Sequence, residues 1–185
     1  FGLSFYLTLD RGGVKNFLLA ILPASQEEKI LLVYGRIEKK MGRWLAGQMF
    51  LSLLVALAIF IGLSILGVKY ALILGILGGI LELVPYVGPV LTGIFAFAIG
   101  LETSVNLGVY VLLLFVVIQQ LENQVFIPLV NKYTTSLNPA VVLTSLLIGG
   151  SVFGIVGIIL SVPIAVFFQE LINITLGTKK KISNI

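Results

Sequence analysis

The sequence predicts an all-α polytopic membrane protein. Its core is read as two inverted repeats, each a span plus a re-entrant hairpin, preceded by an amphipathic cytoplasmic helical section. Three observations carry that prediction. Mean hydropathy is +1.13, with 58% hydrophobic and only 11% charged residues, a balance found in membrane-embedded chains rather than soluble domains. Long apolar tracts recur, and two of them are interrupted near mid-length by proline or glycine. The order of span followed by interrupted tract occurs twice, the second time starting from the opposite side of the membrane, which is the pattern of an inverted repeat.

The chain opens on the apolar run Phe1–Leu9, with no initiator Met and no basic leader. Residues 1–9 are therefore read as the tail of a preceding transmembrane helix, and the chain as a C-terminal piece, not as a signal peptide. Residues 10–43 form the amphipathic cytoplasmic section. They hold Arg11, Lys15, Lys29, Arg36, Lys39, Lys40 and Arg43, most of the 12 basic residues, and the positive-inside rule assigns them to the cytoplasm. Ser25, Gln26, Glu27 and Glu28 read as a capping box. From there Ile30, Val33, Tyr34, Ile37, Met41 and Trp44 recur at helical spacing, opposite a charged face. This predicts a helix running into the membrane with Trp44 at the interface. Its charged section serves either as a connector against the headgroups or as a partner-binding face.

Residues 44–178 are the expected transport core. Trp44 to Val68 carries no charge and is long enough to cross a hydrocarbon core of ~30 Å once. The tract from Ala71 to Gly100 is broken around Pro85–Pro89, leaving halves of about 13 residues, roughly 20 Å as helix and too short to cross alone. It is either one broken span or a re-entrant hairpin. Leu107–Ile127 is a second clear span, and Ala140–Phe168 a second interrupted tract, punctuated by Gly149, Gly150, Gly154, Gly157 and Pro163. Lys132, in the polar loop between them, falls on the cytoplasmic side if the interrupted tracts are hairpins and outside if they are broken spans. Lys179–Lys181, in the basic cytoplasmic tail 179–185, reads as a topology anchor.

Candidate chemistry gathers at the breaks. Proline removes a backbone donor and clashes with the preceding turn. Backbone groups freed at bilayer depth need protein or water around them. Glu82, just before Pro85, is costly in an apolar tract, so it should face a cavity, pair with another group or take up a proton. Its alternative role is a structural hydrogen bond to backbone freed by the break. Gln119, Glu122, Asn123 and Phe126 share one helical face, and Gln120 and Gln124 the neighbouring one; they suit either a polar solute or interhelical hydrogen bonding. The glycines at 149, 150, 154 and 157 allow either close approach to a solute or close helix packing. Cys and His are absent, which excludes disulfides, thiol nucleophiles and the usual neutral-pH proton carrier, so proton handling falls to carboxylates. No enzyme motif, metal-ligand cluster or cofactor-binding loop is present, and the basic section lacks the aromatic interleaving of a nucleic-acid surface.

At Glu82-Leu83-Val84-Pro85-Tyr86-Val87-Gly88-Pro89 the chain resembles the autoinducer-2 exporter-like family of bacterial and archaeal permeases. Ser4-Phe5-Tyr6-Leu7 with Asp10, Gly47-Gln48, Gly67-Val68, Tyr70-Ala71, Gln119-Gln120-Leu121-Glu122 with Asn123 and Pro128, Leu137-Asn138-Pro139, Phe153-Gly154-Ile155-Val156-Gly157 and Val162-Pro163 follow the family's order. Asn138 stands where the family commonly has His, and Asn123-Gln124 where Gly-Asn is usual. The resemblance implies a multi-spanning, homo-oligomeric secondary transporter of the prokaryotic cell membrane, with its C-terminus cytoplasmic and further membrane helices before Phe1. Some members are assigned autoinducer-2 export and others cation/proton antiport. The expected pathway residues are Glu82, Pro85, Gly88, Pro89, Gln119, Gln120, Glu122, Asn123, Asn138, Pro139, Gly154 and Gly157. The expected partners are membrane lipid and a small polar solute, or a cation exchanged for protons.

Overall fold

The computed structural model describes residues 27–85, 87–131 and 139–182. They form two compact units, one from Gly42 to Ala165 and one combining residues up to Met41 with those from Val166 onward. The described residues form helices joined by short turns, with no strand among them. Among the described residues, three helical segments are long and apolar enough to cross a membrane, judged by length and composition alone: Leu31–Ile65, Val105–Val130 and Ala140–Gln169.

Helix α1 (Glu27–Ile65) is unbroken over 39 residues, so the part of the charged section from Glu27 onward and the first apolar tract form one helix. The capping box at its start lies outside the described residues. Its end is set by Gly67, which takes a left-handed φ of 71°. The Val68 amide bonds back to the Leu63 carbonyl at 3.0 Å and the Gly67 amide to that of Ser64 at 3.1 Å. This is a Schellman arrangement, with Val68 and Leu63 both buried beneath it.

Helix α2 (Ala71–Leu81) runs back along α1. Gly75 and Gly79 permit the approach, since a Cβ on either would meet Ala56, at 2.9 Å to its carbonyl oxygen and 2.7 Å to its Cβ respectively. Helix α3 (Val87–Thr103) folds back on α2, with Gly78 facing Thr92 and Gly88 facing the Gly78 carbonyl. Helix α4 (Val105–Leu121) then returns along α3. Ser104 caps it, its hydroxyl accepting from the Leu107 amide at 3.1 Å, and a Cβ on Gly100 would stand 3.3 Å from the Gly108 backbone. Val55, Ile59, Leu63, Leu74, Ala96, Val111, Phe115 and Ile118 fill the space between these helices.

The first interruption is narrower than the sequence suggests. Helix α3 resumes at Val87, so Pro89 sits in its first turn, where a missing N–H costs nothing. After α4 the helix widens into a single π turn, Glu122–Phe126, before the short α5 (Ile127–Asn131). Pro128 lacks the N–H that an α-helix would direct to Gln124, which accounts for a change of register just before it.

Helix α6 (Pro139–Ile182) is reversed at Gly154, whose φ of 58° and ψ of −138° only glycine adopts without strain. The arms double back so closely that Gly149 and Gly157 touch backbone to backbone, with Ser161 against Gly149. Both interrupted tracts are thus helical hairpins, and their second arms match. Each carries a glycine three residues after the break (Gly88, Gly157) and a hydroxyl four residues later (Thr92, Ser161), all four buried. The Ser161 hydroxyl donates to the Gly157 carbonyl, and Thr144 and Ser145 bond back to their own helix in the same way. Pro163 lies inside the second arm without ending it.

Candidate functional site

The site begins with what Pro85 does to its own helix. Without a proline N–H, the Leu81 carbonyl takes the Val84 amide instead, at 3.1 Å, and α2 ends. The Glu82 carbonyl is recovered from a distance. The Gln48 side-chain amide of α1 donates to it at 2.5 Å, from a position only 7% exposed. Gln48→Leu leaves that carbonyl buried and unpaired, and is expected to destabilise the protein by about 1–3 kcal/mol. The check is a lowered thermal unfolding midpoint in detergent, with Gln48→Glu and an exposed control, Gln124→Leu, measured alongside.

The break turns the Glu82 side chain inward, where it is 0% exposed. Its Oε2 lies 2.6 Å from where a Cβ on Gly88 would stand, so only glycine fits there. The carboxyl therefore rests against the first turn of α3, the end of a helix that favours negative charge. From the other side the π turn brings in Glu122, 1% exposed, whose carboxyl group interacts with that of Glu82. The Gln119 amide donates to Glu122 Oε2 at 3.4 Å.

Two buried hydroxyls lie on the same helices. Thr92 lies one turn along α3 from Gly88 and Ser52 one turn along α1 from Gln48. Both are buried, and neither hydroxyl has a hydrogen-bond partner among the described residues. Gln48, Glu82 and Glu122 are thus linked by direct interactions, and buried Ser52 and Thr92 add polar groups to the interior of the same helical unit. Such an interior can exchange protons, accept hydrogen bonds from a polar solute or supply oxygen ligands to a cation.

Of the residues expected from the sequence, Glu82, Gly88, Gln119 and Glu122 come together here, and Pro85 and Pro89 shape the break. Gln120 and Asn123 are exposed, and Gln120 accepts from the Gln124 amide at 3.3 Å. Spacing of 3.6 residues puts Asn123 on the face of Glu122, but the wider π turn resets the register there. Gly154 and Gly157 shape the α6 hairpin. Asn138 lies outside the described residues, and Pro139 opens α6 in the first-turn position proline favours. Sequence reasoning left Ser52 and Thr92 unmarked and met Gln48 only within a motif. Their signal is a pair of four-residue spacings in apolar tracts, Gln48 with Ser52 and Gly88 with Thr92.

Comparison with known proteins places residues 1–177 in a match to the family described as AI-2E family transporter. A candidate transport protein of Bacillus subtilis, YueF, is 34% identical over 160 residues, covering 86% of this chain and 43% of its own. A second from the same organism, YrrI, is 28% identical over 161 residues, covering 87% of this chain and 46% of its own. A cyanobacterial relative from Synechocystis, also a candidate transport protein, is 29% identical over 168 residues, covering 91% and 42%. The chain spans less than half the length of these curated relatives. No solved structure matches it.

Proposed function

Because the chain belongs to the AI-2E transporter family, we propose that it forms the core of a secondary-active permease for a small polar solute, coupled through Glu82 and Glu122. The observation that carries this is the meeting of two carboxyl groups, 0% and 1% exposed, at a helix break inside an apolar helical unit. Both ionised, they repel without water to screen them; one shared proton relieves the repulsion. Uptake and loss of that proton is the coupling event. Gln119 holds Glu122, Gln48 holds the break, and Pro85, Gly88 and Pro89 keep the α2–α3 tip narrow. Gln120 and Asn123, exposed at the end of α4, and Pro139 line the solute's route outside that interior in this reading, and Gly154 and Gly157 form the second tip.

The two hairpins are re-entrant and related as inverted repeats in this reading, supported by their matching glycine and hydroxyl spacing and by the use of broken helices in transporter sites. The protein sits as a homo-oligomer in a prokaryotic inner membrane with its C-terminus cytoplasmic, and autoinducer-2 is one solute of suitable size and polarity.

The second reading is a sodium (or other cation)/proton antiporter using the same carboxyl groups. The unpartnered Thr92 and Ser52 hydroxyls favour it, being spare oxygen ligands for a dehydrated cation. Proteoliposomes holding a pH-sensitive dye and an imposed pH gradient separate the two. Proton flux on adding sodium alone identifies the antiporter, and flux only with an organic solute identifies the permease. No flux under either condition overturns both.

A further inference from the structure

The geometry of α1 points to a binding surface for anionic phospholipid headgroups, formed by Arg36, Lys39 and Arg43. At 100° per residue these three fall within about a sixth of the helix circumference. All three are exposed, while exposed Glu38 lies on the opposite side. Lys40 borders their arc but has an interaction of its own, so the surface does not depend on it. The acidic and basic side chains of this stretch are thereby sorted onto different faces, with Val33, Tyr34, Ile37 and Met41 between them, none fully exposed.

The helix itself sets the depth of the basic face. Because α1 has no break between Glu27 and Ile65, the three residues are tied in register to Trp44, where the charge-free run begins. Arg43 adjoins Trp44, Lys39 is ~8 Å further along and Arg36 ~12 Å. With Trp44 at the hydrocarbon boundary, a headgroup layer ~5–8 Å thick reaches past Arg43 to Lys39. The long side chain of Arg36 bends down to the same layer. Three cations on one face at phosphate depth complement a lipid phosphate, and paired guanidinium groups suit its geometry. This surface concerns the lipid, not the transported solute, and stands apart from the carboxyl pair.

Trp44 is the single tryptophan of the chain and lies within one turn of Arg43, so it reports on nearby lipid without modification. The intact protein is reconstituted in phosphatidylcholine vesicles doped with equal amounts of either dansyl-phosphatidylglycerol or dansyl-phosphatidylcholine. Energy transfer from Trp44 is expected to favour the anionic probe, with local enrichment on the order of fivefold for each basic residue engaged. The preference should collapse at about 1 M salt, where the screening length is ~3 Å. It should vanish in the Arg36→Gln/Lys39→Gln/Arg43→Gln variant and persist in Glu38→Gln. Equal transfer from both probes in the parent protein overturns the proposal, as does a preference that survives the triple substitution. Displacement by millimolar glycerol phosphate also overturns it, by making the site one for a free anion. If the triple variant fails to reconstitute, the salt dependence and the competition in the parent protein decide the matter alone.

Discussion

Glu82→Gln is expected to reduce coupled transport in proteoliposomes to the level of protein-free vesicles while leaving the protein folded. The glutamine keeps the shape of the side chain and offers an amide donor to Glu122, so the interior at the α2–α3 break loses no packing. It removes the ability to gain and release a proton. The backbone bond from Gln48 to residue 82 is independent of that side chain and should hold the hairpin as before. Glu122→Gln should give the same loss, since the two carboxyl groups interact directly. The double substitution should be no worse than either single one, because groups that act as a unit lose their joint effect once. The measurement is initial flux against pH gradient, with the thermal unfolding midpoint as the control for folding. Flux unchanged in Glu82→Gln would remove the pair from the coupling step.

The second large effect concerns the α6 hairpin. Gly157→Ala places a methyl group directly into the Gly149 backbone. The obstruction is main chain, which cannot rotate away as a flexible side chain would, so the arms must separate or the helix must shift. Overpacking of this kind costs about 1–3 kcal/mol, occasionally more. Gly149→Ala should behave similarly, since its methyl would meet Ser161 and the Gly157 backbone. The contrast is Gly42→Ala in α1, where nothing lies within 4 Å of the added carbon. There the loss of glycine's backbone freedom should stabilise the helix by roughly 0.5–1 kcal/mol. Unfolding midpoints in detergent distinguish these outcomes. A Gly157→Ala protein as stable as its parent would mean that the hairpin does not close as described.

Helix existence and type were legible because apolar tracts of span length have one low-energy backbone solution in lipid. The charge-free run after Trp44 is helical through Ile65, and Gly67 stops the helix where a left-handed residue is needed. Pro85 likewise located the first break, because its missing N–H is a covalent property of the residue. The α6 reversal was harder to read: several glycines compete in that tract, and only Gly154 takes the reversing conformation. The Glu82–Glu122 pairing was not legible. Glu82 stood out by its cost in an apolar tract and Glu122 as part of a polar helical face, but nothing in spacing says that residues 40 positions apart in the chain face each other. The π turn also defeats an argument from 3.6-residue periodicity at the very residue where it matters, Glu122.

The sequence by itself determined that this chain is a helical membrane protein, where its first helix break lies, and which residue types are available to its interior. These follow from local properties: side-chain transfer energies, the proline ring, and the absence of histidine and cysteine. Only the tertiary structure decided which polar groups share an interior. Gln48, Ser52, Glu82, Thr92 and Glu122 come from four helices and are all buried, and glycines at 75, 79 and 88 let three of those helices approach to backbone distance. Contact across helices depends on the packing of every apolar residue between them, a collective outcome that no local pattern encodes.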